Sequence, residues 1–177
     1  GKNKMLLGGK GANLCEMTQL GLNVPPGFTI STDACLAYLD QDALPPGAWD
    51  EILKYMKDLE KKTGKQFGGG DNPLLVSVRS GSSMSMPGMM DTILNLGLNK
   101  TTLQGLIKLT DNPRFGYDAY RRFIQLYGKI ALGVEDKHFD DAMAAMKKKV
   151  GVSQDVDLKA EHLEELADQF ARIIEAN

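Results

Sequence analysis

A change of pattern near Lys100 limits what this chain can fold into more than any other feature of the sequence. Beyond it, apolar residues recur at three- and four-residue spacing, which places them on one face of a helix, and few glycines or prolines interrupt them. Helices are predicted over Thr102 to Leu109, Pro113 to Ala131, Phe139 to Val150 and Leu158 to Ala176. Phe139, Met143, Met146 and Val150 keep the spacing in the third of these, and Leu163, Leu166, Phe170 and Ile173 keep it in the fourth. Before Lys100 the patterns are short and punctuated by glycine and proline, so helices and strands must alternate. The expected fold class is therefore α+β: a lobe over residues 1–99 with a mixed sheet flanked by helices, then a helical subdomain over residues 100–177, without internal repeats.

In the first half, the apolar start of "MLLGGKGANLCEMTQL" breaks at Gly8 and Gly9, after which Leu14, Met17 and Leu20 repeat at helical spacing. This reads as a turn leading into a helix. The prolines of "NVPPGFTI" forbid helix, and Phe28 to Ile30 suits a short strand. Ser31 or Thr32 then caps a helix through Leu39, with Asp33 well placed in its first turn. A further amphipathic helix carries Ile52, Leu53, Met56 and Leu59 on one face, and Lys54, Lys57, Lys61 and Lys62 off it as solvated surface. After the loop "TGKQFGGGDNP", "LLVSVRS" is the best strand in the sequence, and its Leu75, Val76 and Val78 suggest burial on both faces.

Composition narrows the function classes. With 177 residues, 42% hydrophobic and 25% charged, the chain suits a globular fold, and a net charge of −2 removes the footprint of a general nucleic-acid binder while leaving small anions open. Cys15 and Cys35 lie far apart in helical stretches and read as reduced core residues, not as a disulfide or metal site. His138 and His162 have no ligand spacing around them and read as solvated. No apolar run approaches membrane length and no signal peptide opens the chain, so the expected compartment is soluble and reducing, the cytoplasm with an organelle left open. The opening "GKNKMLLGG" reads as a cut start.

Two stretches invite a phosphate reading. "GGKGANL" places Gly8, Gly9 and Gly11 around Lys10 at a helix start, where backbone N–H groups and the helix dipole favour anions. It does not fit the P-loop pattern, because Gly11 stands where Ser or Thr should follow the lysine. A glycine turn with a surface lysine is its plain structural reading. Arg79 ends an apolar strand, where a guanidinium suits bidentate contact with phosphate oxygens. Beyond it, "SGSSMSMPGMMD" sets Met84, Met86, Met89 and Met90 among residues whose backbone can approach a ligand closely. On chemistry alone, a lid over a polyphosphate and a Met-rich loop tucked against a neighbouring core are equally good accounts.

Three stretches, "LLGGKGANLCEMTQLGLNVPPGFTI", "PLLVSVRSGSSMSMPGMMDTILNLGLN" and "NPRFGYDAYRRFIQLYG", resemble the N-terminal part of the pyruvate, phosphate dikinase family, in the family's order. The methionine-rich stretch is the most specific of them, since the related phosphoenolpyruvate synthases carry a different loop there. The resemblance implies an ATP-grasp lobe, here partial, that passes the β-phosphoryl of ATP, with inorganic phosphate as co-substrate, to a histidine of a swivelling domain. A pyruvate-binding barrel then receives it, giving phosphoenolpyruvate, AMP and diphosphate, in an enzyme that uses Mg2+ and is a homodimer. By motif, Lys10 and Arg79 would be the cationic phosphate contacts, Arg79 the catalytic one, and Gly88 and Met90 would offer backbone N–H groups.

The departures carry expectations of their own. His138 follows "EDK" and His162 follows "KAE", neither in a phosphohistidine-like loop, and the family's acidic magnesium ligands are expected outside this chain. Members of the family are several times longer, so the chain reads as a fragment that alone neither turns over nor binds ATP tightly. A half-finished sheet should also make it self-associate. In "NPRFGYDAYRRF", Asn112 caps a helix with Pro113 at its first position, Phe115, Ala119, Tyr120 and Phe123 form an apolar face, and Arg114, Arg121 and Arg122 read as ordinary pairing residues. A phosphoenolpyruvate synthase-like enzyme and a non-catalytic nucleotide-sensing or helical interaction module are the alternatives.

Overall fold

The computed structural model describes residues 3–82 and 91–177. In chain order these form α1 (Lys4–Gln19), α2 (Thr32–Gln41), α3 (Ala48–Thr63), β1 (Gln66–Phe67), β2 (Pro73–Leu74), β3 (Val76–Arg79), β4 (Thr92–Leu96), α4 (Lys100–Thr110), α5 (Pro113–Ala131), α6 (Asp136–Val150), a 3-10 turn (Asp155–Asp157) and α7 (Ala160–Ala176). The chain is thus helix-rich with small sheets, within the α+β class. Two compact units divide it: residues 1–65 with 79–91, and residues 66–78 with 92–177. The helices that follow Lys100 fall wholly in the second unit, together with most of the strands before them.

In the second unit, α5 packs against α7, α4 and β4, and α6 packs against α7. The hydrophobic core lies here: Phe139, Met143 and Met146 of α6 meet Leu163, Leu166 and Phe170 of α7, all of them buried. Phe139 and Phe170 meet edge to face with ring centroids 5.0 Å apart, the arrangement their quadrupoles favour. These are the residues whose helical spacing predicts one buried face. Asn112 caps α5 as expected, its Oδ1 accepting the Phe115 N–H at 3.0 Å, with Pro113 in the first turn. Asn99 caps α4 through Thr101 N–H and Thr102 N–H, each at 2.9 Å, while the Thr102 hydroxyl accepts the Asn99 N–H in return.

The strands fall short of the expected single sheet. Among the described residues they form two two-stranded ladders, one pairing β1 with β2 in parallel and one pairing β3 with β4. "LLVSVRS" is divided at Leu75 into β2 and β3, and Val76 is half-buried while Val78 is exposed, so burial on both faces is not found. Among the described residues, α5 packs extensively on β4 and no helix packs on β3 to a comparable extent. Gly97 keeps the turn after β4 close to β2: with φ 111°, a Cβ there would stand 2.6 Å from Leu74 O, so only glycine fits.

In the first unit, Ser31 caps α2 by accepting the Ala34 N–H. α3 carries Asp50 and Glu51 in its first turn and Lys61 and Lys62 in its last, both favourable to the helix dipole, and ends on Gly64 in the left-handed region. Of its apolar face only Leu59 is buried, and its lysines are exposed. Two expectations are corrected here. Residues 28–30 form no strand, since an extended segment becomes a strand only where a partner bonds to it. Cys15 and Cys35 are exposed free thiols, because α1 beyond Ala12 and the whole of α2 bury no residue. No helix of the described residues is long and apolar enough to cross a membrane.

Candidate functional site

The break expected at Gly8 and Gly9 is not a turn that precedes the helix: the chain is already helical from Lys4, and the break is a kink at Gly8 inside α1. Gly8 has φ 67° and ψ 169°, a combination essentially closed to residues with a side chain, and helix resumes directly after it. The kink presses the chain against the segment following β3: a Cβ on Gly8 would lie 3.4 Å from Ser82 N and 3.5 Å from the Gly81 carbonyl carbon. Gly9 N–H donates to Ser82 O at 2.7 Å, and the Lys10 ammonium donates to Ser80 O at 3.1 Å. Gly8 and Gly11 are buried, while Gly9 and Lys10 are half-buried. Gly11 is fixed by space as well, since a Cβ there would stand 3.0 Å from the Thr29 methyl. On the other side of the kink, the Thr32 hydroxyl donates to the carbonyls of Met5 and Leu6, tying the start of α1 to the start of α2.

Arg79 is the last residue of β3 and its side chain is exposed. The next residue, Ser80, donates twice to Asp91 O, from its N–H and from its hydroxyl, both at 3.1 Å. Arg79 thus stands at the neck of the methionine-rich stretch, with Ser80 and Asp91 closing that neck. Gly88 and Met90, and with them Met84, Met86 and Met89, lie outside the described residues.

The structure therefore brings Lys10 to the backbone beside Arg79, across 70 positions of sequence. It also alters the reading of the glycine stretch. The Gly9 amide, which the phosphate reading leaves for an anion, is engaged by Ser82 O. The side-chain chemistry left at this place is cationic: the Lys10 ammonium carries three donors, one of them on Ser80 O, and Arg79 carries a planar guanidinium fork. Ser80, Ser82, Asp91 and Thr32 were not among the expected site residues. The only sequence signal for them is the serine run after Arg79, and no spacing rule links it to Lys10.

The remaining predicted residues fall as follows. His138 is exposed on α6, and the His162 Nδ1 accepts the Lys159 N–H at the start of α7. Arg114, Arg121 and Arg122 serve packing and pairing within the second unit. Arg114 holds the carbonyls of Leu158 and Asp155, Arg121 is buried between Asp118 and Asp155, and Arg122 pairs with Asp118. Among the described residues no group of three or more His, Cys, Asp or Glu is placed to hold a metal ion. These residues do not make a magnesium site.

Residues 4–47 match the family model described as "Pyruvate phosphate dikinase, AMP/ATP-binding domain". The chain is 55% identical over 173 residues to a pyruvate, phosphate dikinase of Entamoeba histolytica, which covers 97% of this chain and 20% of that protein. Against the enzyme of Clostridium symbiosum it is 51% identical over 169 residues, 95% of this chain and 19% of the relative. Against a chloroplastic one of Flaveria pringlei it is 48% identical over 171 residues, 96% and 18%. Over nearly its whole length the chain is thus similar to part of these pyruvate, phosphate dikinases, and it spans about a fifth of the length of these relatives.

Proposed function

We propose that this stretch supplies the phosphate-binding corner of an ATP-grasp lobe in a pyruvate, phosphate dikinase. The observation that supports it is the contact of Lys10 with Ser80 O, which sets an ammonium beside the strand exit bearing Arg79. Phosphoryl transfer asks a protein mainly for positioning and for charge opposite the equatorial oxygens. Arg79 is the group that stabilises the transferring β-phosphoryl of ATP, Lys10 is a point charge on the neighbouring phosphate, and Gly88 and Met90 contribute backbone N–H groups. Inorganic phosphate, the histidine of a swivelling domain and the pyruvate-binding barrel complete the reaction to phosphoenolpyruvate, AMP and diphosphate. The enzyme is a homodimer of the cytoplasm or an organelle. Mg2+ arrives with ATP and takes its ligands from outside this stretch, so the chain alone neither turns over nor binds ATP tightly.

The test is Arg79→Ala in a polypeptide of the relatives' length that carries this stretch. Phosphoryl transfer from ATP should fall by about 10²–10³, the range for losing a preorganised donor. The exchange between pyruvate and phosphoenolpyruvate, carried by the barrel, should be unchanged. Equal ATP-side rates in the variant and the parent would overturn the assignment.

A further inference from the structure

We infer that Ser80 is a positioning residue which, together with the Gly8 kink, fixes the spacing between Lys10 and the backbone of Arg79. The inference rests on the phosphate reading above and adds to it the residues that hold the two cations in register.

Ser80 is engaged through three atoms. Its N–H and Oγ both donate to Asp91 O, and its own carbonyl accepts the Lys10 ammonium, each at 3.1 Å. The serine is exposed, so a second bond to a carbonyl already holding its N–H adds little to folding. What the second bond does is restrict rotation about the Arg79–Ser80 segment, and with it the direction in which Arg79 leaves the strand. On the opposite side, consecutive residues of α1 address that segment in reverse order: Gly9 N–H reaches Ser82 O and Lys10 reaches Ser80 O. Two bonds in this antiparallel order set both distance and register, where one would act as a pivot. The kink makes the pairing possible. Gly8 sits in a conformation that other residues reach only under strain, and such a geometry persists where its surroundings over-determine it. Here the surroundings are the Gly81–Ser82 backbone against Gly8 and the Thr32 hydroxyl on Met5 and Leu6.

A serine that merely tolerates the strand exit would behave differently from one that positions it. In the polypeptide of the relatives' length, Ser80→Ala should lower kcat for phosphoryl transfer from ATP about tenfold or more while moving the KM for ATP far less, the signature of misplaced reacting groups. Ser80→Thr keeps the hydroxyl and should restore most of the rate. Pyruvate–phosphoenolpyruvate exchange should be unchanged in both, and amide-exchange protection of α1, α2 and α3 should match the parent, which establishes that the lobe carrying Ser80 folds. Full ATP-side kcat in Ser80→Ala, or no rescue by Ser80→Thr, overturns the inference. If Arg79→Ala abolishes transfer while Ser80→Ala does not, the positioning role alone fails. If Arg79→Ala is without effect, the phosphate reading fails and this one with it. In the chain as it stands, Gly8→Ala should raise the rate of Lys10 acylation, read by peptide mass spectrometry relative to Lys57 on α3, and an unchanged ratio would count against the two-point clamp.

Discussion

Arg121 shows how far a single side chain's role depends on what lies around it. Its guanidinium is almost wholly buried, yet it is held by Asp118 at 2.7 Å and by Asp155 at 3.4 Å, so the charge is paired and not stranded. Asp155 in turn accepts from the Lys147 ammonium at 3.0 Å, and this bond is the main reason its carboxyl is held below the ordinary aspartate value of 3.8. Asp136 is lowered in the same way, chiefly by Lys129 and then by Gln125. A carboxyl whose folded value lies below its unfolded one adds stability above the unfolded value and loses it as the pH falls through the folded value. The second unit should therefore lose thermal stability as the pH drops from neutral to below 3.8. Calorimetric melting over that range should show a smaller loss in Lys147→Gln than in the parent. A parallel pH profile in the two proteins would remove Asp155 from the account.

Elements meet through glycines at two places in the second unit. Gly128 lies on α5 where a Cβ would come within 2.8 Å of Phe139 and 2.9 Å of Ile174, so the helix approaches α6 and α7 through a position with no room for a methyl. Gly116 does the same against Ile107 of α4. Gly128→Ala gains roughly 1 kcal/mol of helix propensity, yet overpacking a close contact costs about 1–3 kcal/mol. The expected result is net destabilisation, read as a lower denaturant midpoint with an unchanged slope. A stabilised variant would show that α5 and α6 can separate freely. The period of apolar residues made these helices legible, and Asn112 made the start of α5 legible. The periodicity says which face is buried, but the closeness of the neighbouring helix depends on residues far along the chain.

At the scale of the molecule the two units differ in what they bury. The core cluster of Phe139, Leu163, Leu166 and Phe170 belongs to the second unit. The first leaves Met5, Leu20, Leu36, Leu39 and Trp49 exposed, each more than half so. Apolar side chains left in water favour association where they lie together as a patch. Sedimentation at rising concentration should show self-association of this chain, and amide exchange should find the slowest protons in α5 and α7 and faster ones throughout α2. A monomer at all concentrations would refute the first expectation, and equal protection of α2 and α7 the second.

What the sequence by itself determined is what depends on neighbours a few residues away: the four helices after Lys100, the cap at Asn112 and a cap at Ser31 or Thr32, the break at Gly8, and the motifs that relate the chain to the dikinases. Helical hydrogen bonds and caps close within one turn, so their pattern is written locally. Tertiary structure decided the rest. It left Phe28 to Ile30 without a strand partner, put Cys15 and Cys35 on the surface, buried Arg121, and joined Lys10 to Ser80 across 70 residues. Whether a segment pairs, a thiol is covered or an ammonium finds its carbonyl depends on which distant surface arrives beside it, and no local period records that.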